Sequence, residues 1–252
     1  MIDVDRARAD TPGSQTRVHL DNARASLMPA PVLAAVHEHL ELEARVGSAE
    51  AAELRADAIE RVYRSAAELV NADPSEVTVY TGGQLDVMAQ GAPYVVDVSP
   101  RIGRAPVDVQ QIERPAVVAG AGAYLRGPAG TGFLVLRGGR RAEAGPTAAA
   151  VLGLGQAIDY ARELGIDRIE ARVDELAASL CERLAEIPTV SADVEAGVVT
   201  VEVEHRDPRD VAWSLRKRGI TVGLNGSGVR VSPHYFNAES ELAQLADAIR
   251  SL

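Results

Sequence analysis

Four short segments, EVTVYTG, YVVDV, AVVAGAG and GFLVLR, are apolar almost without interruption. That continuity constrains the fold more than any other feature of the chain. A strand with one face in water alternates apolar and polar residues, whereas a strand covered on both faces has no polar side to display. Something must cover these strands, and the flanking sequence supplies helices. Pro29 and Pro31 open a helical stretch through Leu33, Val36, Leu40 and Leu42. In AAELRADAIERVYRSAAELVN, the positions Leu54, Ala58, Ile59, Val62, Ala66, Leu69 and Val70 recur at spacings of three and four, which predicts one helix with a single buried stripe ended by Asp73-Pro74-Ser75. The expectation is an α/β core with a four-stranded mixed sheet.

From Pro146 the pattern changes. A helix is predicted from Thr147 to Leu164, stopped by Gly165, and then a long amphipathic helix carries Ile166, Ile169, Val173, Leu176, Leu180, Leu184 and Ile187. Next come the strand GVVTVEVE, a helix begun by Asp207 as N-cap and Pro208 at its first position, the strands ITVGL and GVRVS, and a last helix from about Ala238. This succession predicts a small α+β domain at the C-terminal end. The division expected is a flexible arm over 1–16, a large domain over 17–145, connecting helices over 146–187 and the small domain over 188–252.

Charge and cysteine content narrow the function classes. With a net charge of -10, the chain repels phosphate backbones and anionic lipid, and its arginine clusters are short and interrupted by Gly, Ile and Ala. Neither nucleic acid nor a membrane is an expected partner. The single cysteine, Cys181, forms no intrachain disulfide, which fits a reducing cytoplasm, and its place beside Leu180 reads as a small hydrophobe. The glycines of GTG at 130–132 and GLG at 153–155 lack the strand-to-helix context of a dinucleotide fingerprint.

Three passages then resemble one family. HLDNARASLMP is similar to an N-terminal LDNAA signature, with Asp21, Asn22 and Ala23 in place. VVDVSPRIGRAPVDVQQI and GAYLRGPAGTGFLVLR resemble the run around a cofactor-bearing lysine, and EAG, VLGLGQAIDYARELGIDRIEARV and VRVSPHYFN resemble the segments that follow it. The family is the class V aminotransferase and cysteine desulfurase group, fold-type I enzymes that hold pyridoxal phosphate (PLP) on a lysine amine, and the similarity is to its C–S lyase and isopenicillin N epimerase-like branch. The resemblance implies a reduced fold-type I large domain. It assigns Asp97 to the cofactor's pyridine nitrogen, where a carboxylate makes the ring an electron sink. It assigns Arg230 to a substrate carboxylate, a role suited to a planar guanidinium. Asn22 joins Arg230 as a substrate-binding candidate.

The departures from the family pattern are as informative. The lysine position is Ala123, the phosphate-binding hydroxyl is replaced by Val118, and the glutamine expected after the aspartate is Pro100. Pro146 stands where a phosphate-binding threonine is expected, with Thr147 one residue on as a vestigial substitute. Tyr124 and Arg126 agree with the pattern on either side of the missing amine. Family segments are absent after Thr81, after Arg137 and after Leu224, and glycine-rich junctions replace them. The chain's single lysine, Lys217, lies near a helix C-terminus, where a solvated cation is favoured. The expected function is therefore a class V-like protein without Schiff-base catalysis, with no catalytic residue assigned. Two alternatives stand beside it: a PLP-dependent C–S lyase or transaminase-like enzyme acting on an amino acid, and an interaction subunit that forms a homodimer or pairs with a full-length relative.

Overall fold

The computed structural model describes residues 2–81, 95–139, 141, 147–226 and 228–252. The segment following Gly82 and Gly83, Tyr94 at the head of YVVDV, and the loop Glu143 to Pro146 lie outside the described residues. The chain divides into two compact units, residues 28–166 and residues 1–27 with 167–252.

In the first unit the four apolar runs become β2 (Val77–Thr81), β3 (Val95–Asp97), β4 (Ala116–Gly120) and β5 (Thr131–Leu136). They form one mixed sheet in the order β2-β5-β4-β3, with β3 and β4 parallel and the other neighbours antiparallel. The covered-strand expectation holds best in the middle, where the first four residues of β4 are all buried. Helices α4 (Ala56–Val70) and α5 (Ala148–Leu164) pack on β2 and β5, and α5 also packs on α4 and on α2 (Ala30–Val46). The single helix expected from Ala51 to Asn71 is instead broken at Arg55, with α3 (Ser48–Leu54) preceding α4, so Leu54 leaves the stripe and is exposed. Val62, Ala66 and Val70 keep it. Asn71 ends α4 in the left-handed region (φ 57°), which an Asn side chain tolerates, and Asp73 caps the short 3₁₀ turn at Pro74–Glu76.

The glycines of the GLG run have a packing reason. A Cβ on Gly153 would lie 2.6 Å from Val36 Cγ2 and 2.7 Å from Pro128 Cγ, and one on Gly155 would overlap Val62. Both glycines let neighbouring elements approach α5 closely.

The second unit differs from the expected division. The expected arm is not loose over residues 2–16: α1 (Val4–Ala9) and a 3₁₀ turn (Pro12–Gln15) bury Ala7, Thr11 and Ser14, and Arg8 reaches Glu241 at 3.0 Å and the Phe236 carbonyl at 3.1 Å. The charged, Pro- and Gly-punctuated composition hid one short amphipathic turn. β1 (Val18–His19) then pairs in parallel with β8 (Ile220–Thr221), so residues 17–27 belong with the C-terminal segment. The connecting helices are likewise shared out, α5 to one unit and nearly all of α6 (Ile166–Ala185) to the other.

Helix α6, α7 (Pro208–Lys217) and α8 (Glu239–Arg250) share a core with β7 (Val198–Val203) and β10 (Gly228–Val231), built from Leu176, Leu180, Val199, Val201, Val229 and Leu245 among others. The sheet runs β6-β7-β10-β9, every neighbour antiparallel, with β6 (Val190–Glu195) and β9 (Gly223–Asn225) outermost. Strand β6 was not foreseen. Its turn into β7 is Ala196-Gly197, both at positive φ, and Ala is a rare occupant of a place that Asn or Asp usually fills. Among the described residues no helix is long and apolar enough to cross a membrane.

Candidate functional site

Arg230 sits in the middle of β10, opposite Thr200 of β7 and Gly223 of β9. Its Nη2 lies 2.7 Å from Oδ1 of Asp21, which is brought there by a parallel bridge between Asp21 and Ser232. The approach depends on Gly223. A Cβ at that position would overlap Asp21 Oδ1 and stand 2.9 Å from Arg230 Nη2. The guanidinium and carboxylate thus lie over a strand position that carries no side chain. Arg230 Nε is buried with no hydrogen-bond partner among the described residues. A buried donor of this kind carries a desolvation cost until an acceptor reaches it.

Asn22, beside Asp21, is fully buried and holds main chain together. Its Nδ2 donates to the Ser232 carbonyl at 2.8 Å, its Oδ1 accepts from Ser26 Oγ at 2.7 Å, and its backbone N–H donates to the same Ser232 carbonyl. Asn237 completes the frame, donating to the His19 carbonyl at 3.1 Å and to Glu241 Oε2 at 2.9 Å while accepting from the His234 N–H. Asn22 is thus a buried brace beside Asp21, the residue that holds Arg230.

In the other unit, Asp97 ends β3 with an exposed carboxylate whose Oδ1 accepts from the Ser99 N–H at 2.8 Å. Ser99 Oγ in turn accepts from the Gly120 N–H at 2.7 Å, tying the turn after β3 to the end of β4. A cleft of about 430 Å³ opens beside Asp97, lined by Val96, Pro100, Arg101, Pro106 and Gln111 among others. Nearby, the buried Tyr80 hydroxyl donates to the Ala119 carbonyl at 3.0 Å. Burial pushes its pKa far above the ordinary phenol value, and the negative charge of Asp97 adds to the shift.

The remaining expected positions do not supply a PLP anchor. Ala123 is a buried methyl in the turn between β4 and β5, its carbonyl accepting from the Arg126 N–H at 3.0 Å. Val118 is fully buried in β4, paired with Asp97 on one side and Leu134 on the other. Thr147 is exposed as the N-cap of α5 and its side chain makes no capping bond. The chain's only lysine, Lys217, lies in the other unit with its Nζ 3.3 Å from the ring centroid of Trp213. These residues do not fit a PLP held through a lysine amine.

Sequence reasoning missed three parts of these arrangements: Asp21 as the partner of Arg230, Gly223 beneath the pair, and Tyr80 within electrostatic reach of Asp97. A glycine inside the apolar strand ITVGL was the available signal for a close approach.

The Aminotransferase class-V family profile matches residues 139–243. A probable cysteine desulfurase of Halalkalibacterium halodurans is 39% identical over 80 residues, covering 31% of this chain and 20% of the relative. Another, of Methanothermobacter thermautotrophicus, is 25% identical over 213 residues, covering 64% of this chain and 53% of the relative. The chain thus spans about half, or less, of the length of these curated relatives. Among solved structures, the apo cysteine desulfurase of Thermococcus onnurineus NA1 superposes with a TM-score of 0.84 at 18% identity, covering 100% of this chain and 98% of that one. A mutant C-DES enzyme with glycine covalently linked to its PLP cofactor superposes with a TM-score of 0.83 at 14% identity, covering 97% and 99%. At such identities the structural likeness speaks for the fold, fold-type I, and the sequence matches speak for the segments they cover. Together with the LDNA, RGPAGTGFL and GLGQAIDYARELG motifs, they make this chain similar to the class V aminotransferase and cysteine desulfurase-like family.

Proposed function

We propose that this protein is a class V member that forms no covalent PLP adduct in its core and whose remaining ligand chemistry is recognition of a carboxylate, of the amino-acid class, at Arg230. The observation that carries the first part is the buried methyl of Ala123 where the family pattern places an amine, in a chain whose only lysine is stacked on Trp213 in the other unit. Without that amine there is neither a covalent anchor nor a positioned base, and a missing positioned base alone costs about 10²- to 10⁴-fold in rate. The second part is supported by the guanidinium of Arg230, which gives one donor to Asp21 and keeps a buried Nε for a further acceptor.

Titration with PLP followed by borohydride reduction and peptide mass spectrometry tests the reading. The expected result is no absorbance in the visible range of a lysine adduct and no reduced adduct on any core residue, with any trace label confined to Lys217 and removed by Lys217→Arg. A stoichiometric adduct elsewhere, accompanied by amino-acid lyase activity, would overturn it.

A further inference from the structure

The outer corner of the C-terminal sheet carries a surface that the carboxylate site does not use. Along α7, positions 209, 212, 213 and 216 recur at three- and four-residue spacing and so share a face. The helix is anchored from its other side, where Val211 and Leu215 are buried in the core. Trp213 is 59% exposed, and Leu224, projecting from β9, is 48% exposed. Between them lies a groove of about 220 Å³ lined by Arg209, Ala212, Trp213, Arg216, Val222 and Leu224 among others.

The charge of this groove is the reverse of the chain's. The protein carries 36 acidic and 26 basic residues, yet among the described residues no carboxylate lines the groove. Asp207 faces the helix N-terminus, where it accepts from the Arg209 backbone N–H at 2.7 Å, and Asp210 is not among the lining residues. Lys217 places its ammonium over the Trp213 ring, which adds a third cation and holds the indole in one orientation. Tryptophan and arginine are the side chains that most often anchor protein interfaces, because they combine a large rigid apolar area with directed hydrogen bonding. Strand β9 adds a backbone edge, since among the described residues it is the outermost strand of its sheet and pairs in it only with β10. An extended chain can align along such an edge.

We propose that this groove docks an acidic peptide segment of another protein, with a large apolar side chain of that segment against Trp213 and Leu224 and its carboxylates on Arg209 and Arg216. Arginine suits carboxylates through paired N–H donors. A short peptide of mixed apolar and acidic residues is also the anionic partner least opposed by the net charge of -10, which repels long polyanions such as nucleic acid.

Trp213 is the only tryptophan in the chain, so its emission reports the groove directly. The probe is a short synthetic peptide with a leucine–phenylalanine pair flanked by glutamates, titrated into the full chain. Expected are a saturable blue shift of Trp213 emission and, by anisotropy of the labelled peptide, affinity that weakens with salt and falls roughly tenfold or more in Arg216→Glu. Trp213→Ala should weaken the labelled peptide comparably. Both side chains are solvent-facing, and circular dichroism of the variants checks that the fold is kept. Equal binding of the same peptide with lysines in place of glutamates would overturn the proposal, as would the absence of any binding. So would equal or tighter binding of polyglutamate, a single-stranded oligonucleotide or an anionic vesicle, which would make the groove a general polyanion surface. A blue shift that grows with protein concentration and no peptide would assign the groove to a second copy of the chain instead.

Discussion

At the scale of single residues, the side chains that persist from the family pattern have acquired definite local partners. Asp97 supports the turn after β3 and acts at a distance on Tyr80, and Arg230 is held by Asp21 over Gly223. Tyr80 gives a direct check on the first of these. Its folded pKa is raised above the ordinary value of 10.0, chiefly by burial and then by the charge of Asp97. For a group shifted this way, stability is fully present below the unfolded pKa. It is lost progressively as pH climbs from about 10 towards the folded value, because only the unfolded chain can release the proton there. Tyr80→Phe should therefore cost about 1 kcal/mol at neutral pH, from the lost bond to Ala119, and should flatten the alkaline loss of stability above pH ~10. Urea denaturation of both proteins across that range is the measurement, and parallel curves would refute the assignment. The Asp97–Tyr80 and Asp21–Arg230 partnerships were not readable beforehand, because each joins residues on different strands and charge proximity is a property of the folded sheet.

At the scale of elements, local pattern was informative wherever a helix or strand had a strong period or a strong cap. The apolar runs of β2 to β5, the stripe of α6 and the Asp207-Pro208 start of α7 all appear where the residues place them. Weak signals failed at two places: α4 begins after a break at Arg55, and β6, half polar with only Val190 and Ala192 turned towards the core, carried no strand signature. The GLG run shows the opposite case, where a visible motif waited on packing for its meaning. Gly→Ala in a helix interior ordinarily gains about 1 kcal/mol. Gly153→Ala should instead destabilise by about 1–2 kcal/mol, since its methyl would press Val36 and Pro128 at 2.6 and 2.7 Å and overpacking outweighs propensity. Thermal or urea unfolding decides the sign, and a stabilised variant would show that α2 and α5 can separate at little cost.

At the scale of the whole molecule, the chain's two units are not consecutive in sequence. Residues 1–27 close onto the C-terminal segment through β1 with β8, the Asp21–Ser232 bridge and the Arg8–Glu241 pair. Removal of residues 2–16 should accordingly lower stability by about 2–4 kcal/mol, because it uncovers apolar contacts and leaves buried Glu241 without its Arg8 partner. Denaturant unfolding of the truncated and intact proteins tests this, and equal midpoints would mean that the segment is an independent arm.

The amino-acid sequence by itself determined the α/β class, most of the helices and strands, the family motifs and the absence of an amine at Ala123. These depend on residue identity and on short-range periodicity, which the sequence contains in full. Only the tertiary structure decided that Asp21 holds Arg230 over a bare glycine, that Asn22 is a buried brace, that the first residues fold with the last, and that Trp213 and Lys217 crown a basic groove on an acidic protein. Each of these joins atoms distant along the chain or sets exposure against burial, and both are settled only when the strands pair and the helices close over them.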